Sequence, residues 1–282
     1  MWINYSNIVT DTVKTTVDVI KKQDTSWIMH HVLDARELDF SPFGVIHLPQ
    51  IHLFGIDISI TKHVVFMWLA VVILIVTFFI VARSYKKSLI PRGITNLTEV
   101  FIVFVRDEIA RPTIGKGNEI FLPYLLTAFF FILTCNFLGL IPYGSTATSN
   151  IAVTATLATI SFVVIQVGGM MKNGFFGYFK GMIPHGIPIW LLPIMFVVEI
   201  LGLFTKPFAL AIRLFANMTA GHIVILALLG LIIILHTYII VPVSIPFALF
   251  IYLLEIFFSL LQAYIFTMLS SLFIGMAVHQ EH

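Results

Sequence analysis

Charge is scarce in this sequence. Of its 282 residues 11% are Asp, Glu, Lys or Arg, against about a quarter in an ordinary globular domain, and 59% are hydrophobic. Such a chain cannot surround a core with a polar shell, which excludes a soluble enzyme and a disordered tail. Sixteen Lys and Arg stand against fourteen Asp and Glu, and a net charge of +2 leaves no basic footprint for nucleic acid. Cysteine is nearly absent: Cys135 stands alone in an apolar run, so no disulfide framework exists. The signatures of covalent chemistry are missing as well. There is no G-x-S-x-G and no dinucleotide fingerprint, and PTIGKGNE at 112–119 lacks the order of a phosphate-cradling loop. His30, His31, His47 and His52 lie in polar flanks without a third ligand at metal-site spacing. No cofactor, no metal and no catalysis by this chain are expected.

What is present is apolar sequence in long runs, and the implied fold class is an all-α integral membrane protein. Residues 1–60 form a polar N-terminal extramembrane segment, in which Ile8, Val13, Val17 and Ile20 recur at helical spacing over 8–22 and predict an amphipathic helix. Residues 40–60, with Pro42 and Pro49, read as extended or loop-like. The membrane domain is 61–282. A hydrocarbon core about 30 Å thick needs roughly 20 apolar residues in a helix, and 64–82, 121–141 and 151–171 meet that length. The run 96–111 is too short in apolar residues and too charged to cross. It predicts an interfacial helix, with Asn96 as a cap three residues before Glu99. Residues 187–235 are apolar for 49 positions and 247–277 for 31, with Pro242 and Pro246 marking the turn between them. The first of these either turns near Thr205–Pro207 and crosses twice, or is one strongly tilted, bent helix.

Seven Lys and Arg in 83–119 and two in 172–186, against none in 142–150, orient the chain. The positive-inside rule sets the first two stretches on the cytoplasmic or matrix side and the N-terminus outside.

The hundred residues 181–280 hold four formal charges: Glu199, Lys206, Arg213 and Glu255. A charge at the centre of a spanning helix costs about 2.5–3.5 kcal/mol even on lenient scales, so it requires a partner or a wet cavity. Glu199, Lys206 and Arg213 recur at sevens, and Asn217 follows four later, which sets all four on one helical stripe. Tyr252, Glu255, Ser259 and Gln262 form a second stripe on the last helix. Blander readings exist for some members: Lys206 snorkels to an interface, Gln262 glues helices as a buried amide, and His222 is packed and hydrogen-bonded. Two whole stripes, however, point to a path or a charged partner. A self-contained transporter and a structural anchor are the competing classes; the first would favour internal repeats, and none is evident.

Two strings make the sequence recognisable. TKPFALAIRLFANMTAGHIV at 205–224 and LLEIFFSLLQAYIFTMLSSLFIG at 253–275 resemble the signature regions of subunit a of F-type ATP synthase, and NFLGLIPY at 136–143 fits the same family. The likeness covers about 60–277. It implies five crossings, with the last two helices a long tilted hairpin and the C-terminus cytoplasmic. It implies a stator of the membrane Fo motor lying against a c-ring of small two-helix subunits, with peripheral-stalk subunit b as a partner and the F1 sector an indirect one. By resemblance Arg213 matches the arginine facing the ring carboxyl group and Gln262 the glutamine beside it. Glu199, His222 and Glu255 match positions of two aqueous half-channels, with Asn217 on the Arg213 stripe and Lys206, Ser259 and Tyr252 in support. Many relatives carry an acid at position 222 and a histidine at 255; here the order is reversed. The transported ion is expected to be H⁺ because the path carries titratable groups. A bacterial plasma membrane or a mitochondrial inner membrane would house it.

Overall fold

A computed structural model describes residues 37–39, 44–49, 52–53, 56–57, 59–87, 90, 92–141, 144–181, 192–235 and 241–279. The amphipathic helix expected over 8–22 lies outside the described residues. Two short antiparallel ribbons come first. β1 (Glu37–Asp39) pairs with β2 (Val45–His47), and β3 (His52–Leu53) pairs with β4 (Ile56–Asp57). Everything described after them is helical or connects helices.

α1 (Lys62–Tyr85) has 24 residues, about 36 Å at 1.5 Å per residue. Its side chains are apolar all round, and Trp68, Ile75 and Phe79 are exposed, as suits a helix facing lipid on most sides. α2 (Ile94–Phe104) continues through a π-helical turn, Val105–Ala110, into α3 (Arg111–Ile114). This run begins two residues earlier than the expected 96–111, and Asn96 is inside it rather than capping it. Gly93, at φ 57°, makes the entry in a backbone conformation that side chains with a Cβ disfavour. Glu99 is engaged instead by α1, accepting from Tyr85 Oη at 2.7 Å. The wider π turn lets Val105, Ile109 and Ala110 all reach the core. On its outer side Asp107 accepts from Arg106 at 2.9 Å and pairs with Arg111 at 2.6 Å. The Arg106 hydrogen bond first, and the charges of Arg106 and Arg111 after it, hold the Asp107 carboxyl below the usual carboxylate range.

α4 (Asn118–Leu140) and α5 (Ile151–Asn173) are the next two long helices. Gly117, at φ 93°, turns the chain into α4. Asn150 caps α5 by accepting from the Ala152 amide at 2.9 Å. The loop expected over 172–186 contains a further short helix, α6 (Phe175–Gly181).

The ambiguity over 187–235 resolves into one helix. α7 (Leu192–Leu235) is continuous for 44 residues with Pro207 inside it. At about 66 Å it is twice the hydrocarbon thickness, so a single crossing requires strong tilt. α8 (Val241–Val278) has 38 residues and starts six before the expected position, with Pro242 and Pro246 in its opening turns rather than in the connection. Pro242, in the first turn, loses no hydrogen bond, because the amides there have no partner in the helix, whereas Pro246, the sixth residue, forgoes one bond to the carbonyl four residues back. Among the described residues five helices are long and apolar enough to cross a membrane: α1, α4, α5, the 201–232 part of α7, and α8.

α8 is the hub, packing on α4, α5, α7 and α3, while α7 also lies on α5 and α1 rests on α4. The core joins Leu125, Phe129 and Ile132 of α4 to Leu210 and Leu214 of α7 and to Ala263, Phe266 and Ile274 of α8. Lipid is as apolar as leucine, so close packing rather than water exclusion holds such helices together, and glycines set the spacing. A Cβ on Gly275 would run into the Thr113 carbonyl, and one on Gly169 would meet the Tyr178 ring.

Candidate functional site

α7 and α8 run antiparallel, and three cross-helix pairs share nearly one register: Lys206 with Phe273, Asn217 with Gln262, and His222 with Glu255. Lys206 Nζ lies 5.2 Å from the Phe273 ring centroid, a cation–π contact. Asn217 Nδ2 donates to Gln262 Oε1 at 2.7 Å. Gln262 is buried, whereas Asn217 is exposed on its outer side. One turn back from Asn217, about halfway along α7, Arg213 is exposed. Among the described residues it has no hydrogen-bond or ion-pair partner.

About two turns along α8 from Gln262, roughly 10 Å, is the second polar cluster. Glu255 is 4% exposed, and neither carboxylate oxygen has a hydrogen-bond partner among the described residues. Its nearest counter-group is His222 Nδ1, 3.6 Å from Oε1. That is ion-pair distance, too long for a hydrogen bond. The other ring nitrogen, Nε2, is 2.9 Å from Thr146 Oγ1. Gly221 makes room: a Cβ there would come within 2.8 Å of Glu255 Oε1.

Both residues line a cavity of about 430 Å³ between α7, α8, the end of α4 and the 144–149 segment. Ser145, Thr146 and Ser149 supply hydroxyls on one wall, and Ile225, Leu226 and Leu229 of α7 an apolar face on another. Tyr252 is on the rim and donates to the Leu140 carbonyl at 3.0 Å. A buried carboxylate that faces a cavity with hydroxyls on one wall, and has no hydrogen-bond partner among the described residues, is placed to meet water or a transferred proton.

The predicted residues thus divide. Glu255, His222 and Tyr252 share the cavity; Asn217 and Gln262 form a bridge; Arg213 is exposed one turn beyond that bridge. Lys206 stands two turns further on with Phe273. Ser259 is buried, but its hydroxyl donates to the Glu255 backbone carbonyl at 2.8 Å. The side chain of Glu199 lies outside the described residues.

Sequence reasoning missed the segment that closes the cavity. Asn136 is fully buried, donates to the Ser259 carbonyl at 3.3 Å and accepts from Thr148 Oγ1 at 2.7 Å. It thereby ties the 144–149 segment to α8 between Glu255 and Gln262. Gly139 lets the same segment approach α4, since a Cβ there would collide with Thr146. The available signal was four hydroxyl residues among the six of GSTATS, in a region otherwise apolar. Among the described residues no group of three His, Cys, Asp or Glu is arranged to hold a metal.

The sequence profile of the ATP synthase A chain family matches residues 64–275. "ATP synthase subunit a" of Chloroherpeton thalassium is 56% identical over 259 residues, 90% of this chain and 77% of that protein. "ATP synthase subunit a 2" of Chlorobaculum tepidum is 55% identical over 254 residues, 89% and 72% of the two chains. "ATP synthase subunit a" of Myxococcus xanthus is 53% identical over 229 residues, 80% and 75% respectively.

Proposed function

The chain belongs to the ATP synthase A chain family, a multi-pass subunit of an energy-coupling membrane, and on that premise we propose that it is the Fo stator whose Arg213 couples H⁺ transfer to ring rotation. The supporting observation is the state of Arg213: a guanidinium exposed halfway along a spanning helix, with no partner among the described residues of its own chain. Lipid cannot hold it there, so its partner comes from another subunit. The partner that fits is a carboxyl group on a c-ring helix passing along the exposed face of α7.

The chemistry follows from charge. A guanidinium stays protonated under all relevant conditions, so it favours the anionic form of a carboxyl group beside it and promotes release of that group's proton. At 4 Å and an effective dielectric of 20 the attraction is about 4 kcal/mol, an upper scale for such a pair. Asn217 and Gln262 orient groups on that face without adding charge. The same cation repels a proton passing straight from one side to the other, so protons cross only by riding the ring. The driving free energy is about 2.3 kcal/mol per charge for each 100 mV.

The cavity holding Glu255, His222 and Thr146 is one of two half-channels. Its 144–149 wall belongs to the loop 142–150, whose lack of Lys and Arg assigns it to the outer side with the N-terminus. Glu199 and Lys206, toward the other end of α7, belong to the cytoplasmic path. Subunit b packs on the rest of the chain, F1 is reached through it, and ATP chemistry takes place in other subunits.

The deciding experiment is Arg213→Ala in membrane vesicles carrying the whole complex. Loss of ATP-driven pumping with increased passive proton leak is the expected result. Coupled pumping that survives the substitution overturns the assignment.

A further inference from the structure

Two neighbouring hydroxyls in the 144–149 segment are each bound to a histidine from a different helix. Thr146 Oγ1 is 2.9 Å from His222 Nε2 on α7, and Ser145 Oγ is 2.9 Å from His63 Nδ1 on α1. His63 stands in the first turn of α1, where a polar side chain ordinarily meets water, yet it is 2% exposed, and Lys62 beside it is 8% exposed. Ser145 lines the cavity and His63 does not, so the Ser145 hydroxyl joins this ring to the cavity. Charged and titratable groups stand near it among the described residues. Lys62 adjoins it on α1, and His222 and Glu255 lie across the segment on α7 and α8. Residues 144–149 and the facing half of α4, 131–140, carry no Asp, Glu, Lys, Arg or His.

We propose that His63 is a second proton-handling histidine of the outer half-channel, exchanging protons with cavity water through the Ser145 hydroxyl and so serving His222 and Glu255. The proposal rests on reading the cavity as that half-channel. A hydroxyl both donates and accepts, whereas a protonated imidazole only donates. With His63 protonated, Ser145 accepts from Nδ1 and its own O–H points elsewhere, toward the cavity it lines. Transfer then conserves every group: the Nδ1–H bond breaks, Ser145 Oγ takes that proton and passes its own to a water. Ser145 remains a neutral hydroxyl and His63 a neutral ring. The reverse sequence reloads the histidine.

The test uses vesicles carrying the complete complex, stripped of F1, with passive proton conduction measured against outer pH. His63→Gln keeps a hydrogen-bonding partner for Ser145 but cannot titrate. Conduction is expected to fall at least about tenfold, less than the hundredfold or more a positioned acid–base group typically contributes, because cavity water is a parallel route. Its dependence on outer pH flattens. Ser145→Ala, which leaves His63 in place and cuts the link, gives the same profile, and Ser145→Thr restores the original one. If His63→Gln prevents assembly, Ser145→Ala decides alone. Wild-type conduction and pH profile in His63→Gln, or in Ser145→Ala where only that variant assembles, overturn the proposal. Glu255→Gln in the same vesicles separates the two readings. If it conducts normally, the half-channel itself is misassigned. If it blocks conduction while the His63 and Ser145 variants behave as wild type, the role of His63 alone falls.

Discussion

Asn217 Nδ2 donates to Gln262 Oε1 across 2.7 Å, joining the two long helices one turn from Arg213. Both side chains are neutral amides, so the bridge fixes geometry without offering the guanidinium a counter-charge that would hold it permanently. Interhelical hydrogen bonds in membranes are worth about 0.6 kcal/mol on average, rising to about 1.7. A double-mutant cycle is the direct check. Asn217→Ala and Gln262→Ala each lower ATP-driven pumping. The double variant is no slower than the worse single one, because both remove the same bond. Strict multiplicative losses would mean that the two amides act separately.

Glu255 and His222 face one another at 3.6 Å, with neither carboxylate oxygen hydrogen-bonded among the described residues. Glu255→Gln keeps shape and polarity and removes only the charge and proton-carrying capacity. It is expected to reduce coupled pumping at least about tenfold with the subunit still assembled, since acid–base groups on a path contribute about a hundredfold or more. Because the pair is one acid and one imidazole on facing helices, the exchange His222→Glu with Glu255→His should transport better than either single change. A double variant as poor as the worse single one would show that position, and not only pairing, matters.

How far the sequence anticipates this arrangement depends on the residue. Hydrophobic length located the apolar segments, because lipid demands about the same run of apolar side chains whatever the fold, but it left open whether 187–235 crosses once or twice, and the family resemblance implied one tilted helix. The sevens linking Glu199, Lys206 and Arg213 implied a stripe because the helix repeats on nearly that period; all three stand on α7, and the side chain of Glu199 lies outside the described residues. The continuity of α7 past Pro207 was not legible. Local chemistry allowed either a turn or a helix, and in a membrane neighbouring groups can satisfy the carbonyl that proline leaves unpaired. Nor were Asn136, Ser145, Thr146 and His63 legible as a set. They meet through α1, α4 and a loop, and no spacing rule connects residues brought together by tertiary packing.

Three glycines separate packing from chemistry. At Gly202 a Cβ meets nothing within 4 Å. At Gly221 it meets the far end of Glu255 at 2.8 Å, and at Gly275 it meets the backbone of Thr113. A carboxylate can swing aside and a backbone carbonyl cannot. Gly202→Ala should therefore leave membrane levels and pumping unchanged, and Gly221→Ala should preserve assembly while slowing transport. Gly275→Ala should lose assembly, since overpacking of a closed contact costs about 1–3 kcal/mol or more. Immunoblots of membranes, read beside pumping rates, check the order. Normal levels and rates for Gly275→Ala would refute the close approach of α8 to α3.

Asp107 supplies a test of the Ile94–Ile114 run that is independent of transport. Its carboxyl is held below the ordinary aspartate value, about 3.9, first by the Arg106 hydrogen bond and then by the charges of Arg106 and Arg111. A carboxyl group with a lowered folded-state pKa contributes stability that is complete above its unfolded value and disappears as pH falls through the folded one. The wild-type complex should therefore exceed Asp107→Asn in thermal stability at neutral pH by a small, constant margin. The margin should close only below about pH 4, where the unfolded chain begins to take up the proton. The site is solvent-facing, so added salt should narrow the margin at neutral pH too, a Debye length of about 10 Å at 0.1 M shrinking to about 3 Å at 1 M. Thermal denaturation of the purified complex at several pH values and two salt concentrations measures both effects. A margin that widens on acidification would reverse the sign and remove Arg106 and Arg111 as the cause.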